Sequence, residues 1–461
     1  MYERWPNQEE AYEFAMRHTS CMLDMEMGTG KTRVAIDVAF SRPNCYRVLV
    51  VCPKAVVPVW RENLEKFAGD KRWVCWDRQK GTIEKKAEDL KEFLHKPAQK
   101  QFVVINYDSV WRGKMGDLVI RSCFQMVILD ESHRAKAAGS KVSKYLAMLG
   151  KRTKYKMCLS GTPMANSPLD VYGQYRFLNP EIFGTNHAKF LYKYAIMGGP
   201  EMRFVIGYKN QIELKNKFQS IAYTCKMSDI SSRIKLPDSL PPVAMYVDLP
   251  SQDMRTAHIL AKEFVAECGT GHVVVNNVLT KLVRLQQITS GFCVTSESVF
   301  DDPKVQELNT AKEDMLAEIL GDMDKNDNVV VFCLYTHDIV AIRDAARQVD
   351  RNCFELSGRK NEINDWKKSK GAVFAVQIQA GAEGVDMTIS NHAIYFSIPH
   401  SMALYNQSKA RLYRPGQNRP VAFMHLLARG TIDESLYKTL LRKEDMIEAI
   451  KNGTFDFGFI K

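Results

Sequence analysis

The chain has 461 residues, of which 45% are hydrophobic and 25% charged, and its formal net charge is +11. No apolar run approaches the roughly 18 residues that cross a bilayer, which argues against a membrane-spanning protein. The eleven cysteines include no Cys-x-x-Cys pair. This pattern argues against a disulfide framework and against a zinc site, and it indicates reduced thiols. The N-terminus is charged and amphipathic, unlike a secretory signal, so we expect a cytoplasmic protein, or a nuclear one in a eukaryote. The excess of lysine and arginine over aspartate and glutamate is compatible with a polyanionic partner.

Short apolar runs alternate with amphipathic stretches along the whole chain. In the first half the runs are SCMLDM, RVLVVCP, QFVVINY, QMVILDE and YKMCLSGTP, and in the second half NVVVFCLY, AVFAVQIQ, HAIYFSIP and VAFMHLLA. Near-continuous apolar strands separated by helical segments are typical of parallel sheets that are covered on both faces. The pattern therefore predicts an α/β protein with two lobes.

The length favours two or three domains, and one segment interrupts the alternation. This segment, KLPDSLPPVAMYVDLP at 235–250, is rich in proline, and we place the hinge there. The predicted lobes are 1–234 and 235–461. Two stretches, near 180–230 and near 252–290, are predicted to be mostly helical insertions that belong to neither sheet.

The first candidate site is the segment MLDMEMGTGKT, between a predicted strand and the helical RVAIDVAF. Gly28 and Gly30 allow backbone N–H groups to surround phosphate oxygens, and the helix N-terminus adds its dipole. Lys31 would reach the β- and γ-phosphates, and the hydroxyl of Thr32 would bind Mg²⁺. The strict motif has a further glycine where Met25 stands, and the alternative is a chance glycine turn before a lysine.

The second candidate site is the segment QMVILDESH. Asp130 is predicted at the carboxyl end of a buried strand, where open α/β sheets bind ligands. This carboxylate can hold Mg²⁺, while Glu131 can orient and deprotonate an attacking water. The alternative is a strand that merely ends in two acids. Following a phosphate loop, the pair indicates nucleotide hydrolysis.

Seven segments then stand in a fixed order along the chain. They are DMEMGTGKT, VLVVCPKAVVPVWRENLEKF, LDESHRAK, LSGTPMANSPLDVYGQYRFLNP, LVRLQQITSG, QAGAEGVDMT and QSKARLYRPGQNRPV. Together they resemble the helicase motifs of superfamily two, in the version carried by the Swi/Snf-like ATPases, over roughly residues 2–450. The resemblance implies two RecA-like lobes in tandem, ATP and Mg²⁺ as cofactors, and translocation on double-stranded DNA.

The resemblance also assigns roles to individual residues. Gln8 resembles the glutamine that reads adenine, and Ser160, Gly161 and Thr162 the motif that couples hydrolysis to lobe movement. The remaining assignments are the phosphate loop Gly28, Thr29, Gly30, Lys31 and Thr32, the acid pair Asp130 and Glu131, the second-lobe loop Gly381, Gly384 and Asp386, and the final motif Gln407, Arg411 and Arg414.

The final motif raises the question of what its arginines contact. Gln407, Arg411 and Arg414 are spaced i, i+4 and i+7, so on a helix they would share one face. The second lobe has no phosphate loop in its sequence, and the resemblance implies that these side chains reach the γ-phosphate of ATP bound by the first lobe. The alternative is a helix whose arginines bind only surface carboxylates.

A translocase must hold a nucleic-acid backbone without reading its sequence. By resemblance, the candidates are Pro53, Lys54, Asn106, Tyr107, Lys136, Thr162, Ser357, Gly358 and Gly381. Trp60 and Trp366 lie in amphipathic stretches and are interpreted as packing anchors rather than base-stacking platforms. His133 is interpreted as part of a hydrogen-bond network between the lobes, because no second ligand stands at zinc spacing.

The leading functional hypothesis is an ATP-dependent translocase on double-stranded DNA that acts without sequence preference, as a monomer, and remodels DNA-bound proteins. One alternative is a strand-separating or branch-migrating helicase of the same superfamily. Another is a nucleotide-gated clamp or scaffold that hydrolyses little ATP. Glu131 and Arg414 argue against the clamp, and the lack of an evident strand-splitting wedge argues against unwinding.

Overall fold

The computed structural model describes residues 3–69, 72–96, 98–164, 167–198, 204–230, 236–237, 239–262, 265–268, 271–274, 278–295, 304–381 and 385–442. The chain divides into two compact units, Met1–Lys235 and Leu236–Lys461. Within the described part of the chain, no helix is long and apolar enough to cross a membrane.

The first unit alternates strands and helices. Its strands are β1 (Ser20–Met25), β2 (Arg47–Cys52), β3 (Val74–Trp76), β4 (Gln101–Asn106), β5 (Met126–Asp130), β6 (Tyr155–Ser160), β7 (Ala195–Gly198), β8 (Phe204–Tyr208) and β9 (Ala222–Cys225). Its helices are α1 (Pro6–Arg17), α2 (Lys31–Ser41), α3 (Val57–Phe67), α4 (Ile83–Leu94), α5 (Gly113–Arg121), α6 (Lys141–Gly150), α7 (Val171–Leu178), α8 (Pro180–Phe183), α9 (His187–Tyr194), α10 (Gln211–Gln219) and α11 (Met227–Ile230).

Seven of these strands form one sheet in the order β3-β4-β2-β5-β6-β1-β9. Every neighbouring pair in it is parallel. The carboxyl ends of all seven strands therefore meet at one edge of the sheet, and the segments that follow β1, β5 and β6 are brought side by side. The predicted phosphate loop and acid pair both lie at this edge.

Helices cover both faces of the sheet of the first unit. Successive side chains of a strand point in opposite directions, so neighbouring residues of one strand pack against different helices. Val48 and Val50 of β2 pack in one cluster with residues of α2 and α3. Leu49 and Val51 pack in a second cluster with residues of α4, α5, α6 and α7. This arrangement explains why β2 is apolar at every position after Arg47 rather than alternating.

The second unit repeats the alternation of strands and helices. Its strands are β10 (Val243–Val247), β11 (Val265–Cys268), β12 (Gly271–Val274), β13 (Phe292–Thr295), β14 (Lys304–Glu307), β15 (Val329–Cys333), β16 (Cys353–Leu356), β17 (Val373–Gln377), β18 (His392–Tyr395) and β19 (Ala422–Ala428). Its helices are α12 (Ser251–Lys262), α13 (Val278–Thr289), α14 (Ala311–Asp322), α15 (Thr336–Gln348), α16 (Ile363–Lys368), α17 (Ile378–Gly381), α18 (Met402–Leu412) and α19 (Ile432–Leu441).

Six strands of the second unit form a parallel sheet in the order β10-β19-β18-β15-β17-β16. Val330 and Phe332 of β15 pack on the face covered by α13, α16, α18 and α19. Val329 and Val331 pack on the opposite face with α14 and α15. The prediction of an α/β protein with two parallel-sheet lobes is confirmed.

The two stretches predicted to be mostly helical also contain strands. Residues 180–230 contain the β7–β8 hairpin, and β9 joins the main sheet beside β1. Residues 252–290 contain the β11–β12 hairpin between α12 and α13. The proline-dense segment 235–250 is not entirely irregular either, because it contains β10, an edge strand of the second sheet.

Candidate active site

The loop between β1 and α2 has the conformation that a phosphate loop requires. Gly28 and Gly30 have φ angles of 83° and 91°, a region that side chains disfavour. A Cβ atom on Gly30 would lie 2.2 Å from Nε2 of Gln8, so a larger residue would displace that side chain as well as strain the backbone. Gly30 is the N-cap of α2, and the loop therefore ends at a helix N-terminus, where anions bind favourably.

The helix α1 is tied to this loop by its first turn. Asn7 donates its side-chain amide to the carbonyl of Thr29 at 3.1 Å, and Nε2 of Gln8 lies 3.5 Å from the same oxygen. The Oε1 atom of Gln8 accepts the backbone N–H of Trp5 at 3.1 Å. The residue that resembles an adenine reader is thus held directly against the loop that resembles a phosphate cradle.

Lys31 is buried at the start of α2 and its ammonium group lies on the loop. Its Nζ atom donates to the carbonyl of Met25 at 2.6 Å and lies 3.3 Å from that of Glu26. The hydroxyl of Thr29 donates to the carbonyl of Glu26 at 2.6 Å, which closes the loop on itself. The ammonium group is therefore held against backbone carbonyls of the loop itself.

The acid pair stands where β5 ends, with the carboxylate of Asp130 buried and fixed at both oxygens. Oδ2 accepts the indole N–H of Trp60 at 2.8 Å, and Oδ1 accepts the backbone N–H of Glu131 at 3.0 Å. Burial raises the pKa of Asp130 to about 6, and the negative charge of Glu131 acts in the same direction. The hydrogen bond from Trp60 and the positive charge of Lys31 oppose this shift.

Glu131 has an unusual backbone conformation. Its φ of 50° and ψ of 53° place it in the left-handed region, which few residues other than glycine adopt. Its Oε2 atom lies 3.4 Å from Nδ1 of His133, and this nitrogen is 3.5 Å from the hydroxyl of Ser160. Burial, followed by the charges of Arg134 and Lys136, lowers the pKa of His133 to about 4, so the imidazole is neutral at pH 7.

Two residues of this site have no counterpart in the sequence-based prediction. The amide of Gln174 on α7 is fully buried and bridges two turns, since it accepts the hydroxyl of Ser132 at 2.7 Å and donates to the carbonyl of Pro163 at 2.7 Å. Asp24, inside the apolar run of β1, has a pKa raised to about 6 by burial. An acid within a strand run is a signal that sequence inspection alone can find, whereas the contacts of Gln174 appear only in the fold.

The final-motif candidates lie in the second unit, at and beyond the end of α18. Gln407 and Arg411 are buried one turn apart on this helix. Because the helix ends at Leu412, the prediction that Arg414 shares their helical face is wrong. Arg414 precedes Pro415, and a proline ring disfavours the helical conformation of the residue before it.

Asp386 lies near Arg414 in the same unit. Burial raises the pKa of Asp386, but the positive charge of Arg414 and two hydrogen bonds from Thr388, at 2.9 and 2.8 Å, hold it below its ordinary value. Gly381 is the last residue of α17, and Gly384 lies outside the described residues.

The nucleic-acid candidates of the first unit follow the carboxyl ends of β2 and β4. Pro53 and Lys54 come directly after β2, and Lys54 is exposed. Asn106 ends β4 and is largely buried. The hydroxyl of Tyr107 is buried and donates to the backbone carbonyl of Asp130 at 2.9 Å, so this side chain supports the end of β5.

The other nucleic-acid candidates are distributed over both units. Nζ of Lys136 lies 3.4 Å from a carboxylate oxygen of Asp170, and the backbone N–H of Thr162 donates to the hydroxyl of Ser160 at 3.1 Å. In the second unit, Ser357 and Gly358 follow β16, and the hydroxyl of Ser357 donates to a neighbouring carboxylate at 2.6 Å. Trp60 and Trp366 are fully buried, as expected for packing anchors.

The residues of the first unit suit ATP and Mg²⁺. The left-handed conformation of Gly30 favours glycine, and Lys31 and the N-terminus of α2 lie at the same loop. Thr32 and Asp130 offer oxygen ligands, which Mg²⁺ prefers, and this ion often takes one or two protein ligands beside substrate phosphates. Within the described residues, no group of three or more His, Cys, Asp and Glu side chains could hold a metal ion.

Comparison with known proteins gives consistent results. A model of the SNF2-related domain matches residues 3–290, and a model of the helicase conserved C-terminal domain matches residues 311–416. Over 92% of its length, the chain is 22% identical to the DNA repair and recombination protein RAD54B of Gallus gallus, of which 51% is covered. Over 97% of its length, it is 23% identical to the DNA annealing helicase and endonuclease ZRANB3 of Homo sapiens, of which 40% is covered.

Among solved structures, the SWI2/SNF2 ATPase core of Sulfolobus solfataricus in complex with dsDNA is similar, with a TM-score of 0.45 and 20% identity over 98% of this chain and 94% of that one. The chain spans about half the length of the curated relatives it matches.

Proposed function

Because the chain belongs to the SNF2-related domain family, we propose that it is an ATP-dependent motor that moves along double-stranded DNA. The observation that carries the proposal is the first unit's site, where the phosphate loop after β1 and the acid pair after β5 meet at one edge of a parallel sheet. This edge is where open α/β sheets bind ligands. The DNA part of the proposal is supported by the family and by the net charge of +11.

Glu131 is the proposed general base, which accepts a proton from the water that attacks the γ-phosphorus of ATP. Its left-handed backbone conformation costs on the order of 1–3 kcal/mol, and such strain concentrates at active sites. His133, the imidazole 3.4 Å away, is neutral at pH 7 because of its lowered pKa. A neutral imidazole forms no ion pair with the Glu131 carboxylate.

The second requirement of phosphoryl transfer is that the negative charge of the nucleotide phosphates is neutralised. The backbone N–H groups of residues 28–30 and the ammonium group of Lys31 would bind the phosphates, and Gln8 would contact the base. Thr32 and Asp130 would hold Mg²⁺, which supplies neutralisation of the phosphate oxygens when it is bound. We also propose that Arg411 and Arg414 of the second unit contact the γ-phosphate of this ATP during hydrolysis.

The proposed DNA track uses backbone contacts without base readout. Lys54, Thr162 and Lys136 would serve the first unit, and Ser357 and Gly358 the second, because loop N–H groups, hydroxyls and lysines bind phosphate in any sequence. We propose that the protein acts as a monomer and displaces proteins from DNA. A strand-separating helicase and a low-turnover clamp are the two alternatives, and the following two experiments distinguish them.

We expect duplex DNA to stimulate ATP hydrolysis well above the rate of the protein alone. The stimulation should fall steeply as salt is added, because each phosphate contact releases condensed counterions when it forms. The measurement is steady-state ATP turnover with duplex DNA, single strands, forks and RNA, each at several salt concentrations. Stimulation by RNA with no response to duplex DNA would disprove the DNA motor, and binding without turnover would support the clamp.

Movement along DNA is tested with a triplex. In the presence of ATP, the protein should displace the third strand of a DNA triplex, because that strand lies in the path of a duplex-bound motor. A simple forked duplex should stay largely paired under the same conditions. Both products can be followed by native gel electrophoresis, with the Lys31→Ala variant as the control without productive nucleotide binding. Efficient unwinding of the fork would instead establish the helicase alternative.

A further inference from the structure

Trp60 of α3 is fully buried, and its indole N–H points at a functional carboxylate. It donates to Oδ2 of Asp130 at 2.8 Å across a separation of 70 residues in sequence. We propose that Trp60 is a positioning residue that fixes the Asp130 carboxylate for Mg²⁺. This inference rests on the proposed function, since it assumes that Asp130 holds Mg²⁺ beside bound ATP.

The fold places the two side chains on the same face of the sheet. In β5, Met126 and Ile128 belong to the core cluster that packs against α2 and α3. Side chains alternate along a strand, so Asp130 points to this face as well. Trp60, on α3, lies in the same cluster and reaches the strand end that bears Asp130. The contact is therefore determined by strand periodicity and by the position of α3.

The carboxylate of Asp130 is restrained at both of its oxygens. Oδ2 accepts from Trp60, and Oδ1 accepts from the backbone N–H of Glu131 at 3.0 Å. With one donor on each oxygen, rotation of the carboxylate would break at least one hydrogen bond that is shielded from water. Donors that orient a metal ligand in this way typically change metal affinity by about 10- to 100-fold when they are removed.

A second buried tryptophan shows what a packing role alone looks like. Trp366 in the second unit is equally buried and stacks on Phe374 with ring centroids 4.5 Å apart. Its indole N–H lies 3.4 Å from a backbone carbonyl, that of Ala372, and contacts no carboxylate. Trp60 and Trp366 thus differ in the group that receives the N–H, which makes Trp366 a matched control.

The test compares nucleotide affinity with and without the metal. A fluorescent ATP analogue is titrated against the wild type and Trp60→Phe, once with saturating Mg²⁺ and once with EDTA. We expect Trp60→Phe to bind the metal-free analogue as tightly as the wild type does. The factor by which Mg²⁺ increases the affinity for the analogue should be about 10- to 100-fold smaller in the variant. The Mg²⁺ concentration for half-maximal hydrolysis should rise by a similar factor. Trp366→Phe should leave both quantities unchanged.

Replacement of Trp60 by benzothienylalanine, in which sulfur takes the place of the indole N–H, separates the hydrogen bond from packing. This variant keeps the ring volume, so it addresses the case in which Trp60→Phe fails to fold. We expect the same loss of Mg²⁺-dependent affinity in a protein that still unfolds cooperatively, with a melting temperature lowered by no more than the loss of one buried hydrogen bond explains. An unchanged Mg²⁺ dependence in this variant would overturn the inference while leaving the ATPase intact. Absence of Mg²⁺-dependent nucleotide binding in the wild type would instead refute the proposed function.

Discussion

Glu131→Gln is expected to bind ATP with nearly normal affinity and to hydrolyse it about 10²- to 10⁴-fold more slowly, the range that general-base catalysis typically contributes. Glutamine keeps the size and shape of the side chain, but its amide cannot accept the proton of the attacking water. The backbone of residue 131 is already in the left-handed region, and an isosteric change leaves that conformation in place. Single-turnover hydrolysis and equilibrium ATP binding, measured on the same preparation, check the result.

Two further variants make the Glu131→Gln result specific. Lys31→Ala should weaken ATP binding itself, because it removes the cation on the β- and γ-phosphates. Glu213→Gln changes a partly exposed acid of the same unit that pairs with Lys193 and Lys217, and it should leave turnover unaltered. Near-normal turnover of Glu131→Gln would show that another group is the base.

The strands that sequence inspection identified are the interior strands of the two sheets. In β2, β5 and β15 nearly every side chain is buried, so each contains a continuous run of at least four apolar residues and is easily recognised. Within these two sheets, the strands that it missed, β3, β9, β10 and β16, are the four edge strands, and it also missed the short strands of the three two-stranded sheets. Edge strands have one open side and mixed burial, so their sequences lack the continuous apolar run.

In the candidate site, the features that could be predicted are those formed by residues close together in the sequence. The phosphate loop and the acid pair could be predicted because each is formed by consecutive residues whose spacing dictates the geometry. Trp60 and Gln174 could not be assigned their contacts, because their partners lie 70 and 42 residues away and meet only through the sheet. A buried tryptophan was correctly predicted at position 60, but its N–H partner is a property of the tertiary structure.

The spacing argument fails at Arg414. The helical spacing of Gln407, Arg411 and Arg414 predicted a shared face, yet α18 ends at Leu412, before the Arg-Pro pair. Because Arg414 lies outside the helix, its side chain does not follow the row that Gln407 and Arg411 share. The charge of Arg414 influences the pKa of Asp386 within the second unit. This placement is compatible with an arginine that contacts nucleotide only in one state of the motor.

Arg414→Ala should therefore reduce DNA-stimulated ATP turnover by about 10³- to 10⁵-fold, as removal of an arginine finger typically does. A contact that exists only in the hydrolysing state stabilises the transition state rather than bound ATP, so ATP affinity and DNA binding should change little. Arg414→Lys should rescue turnover poorly, because an ammonium group lacks the planar fork that contacts two phosphate oxygens. Arg419→Ala is the matched control, since this arginine is partly exposed and pairs with Asp327. Equal losses of ATP affinity and turnover in Arg414→Ala, or no loss of either, would show that Arg414 does not act on the transition state.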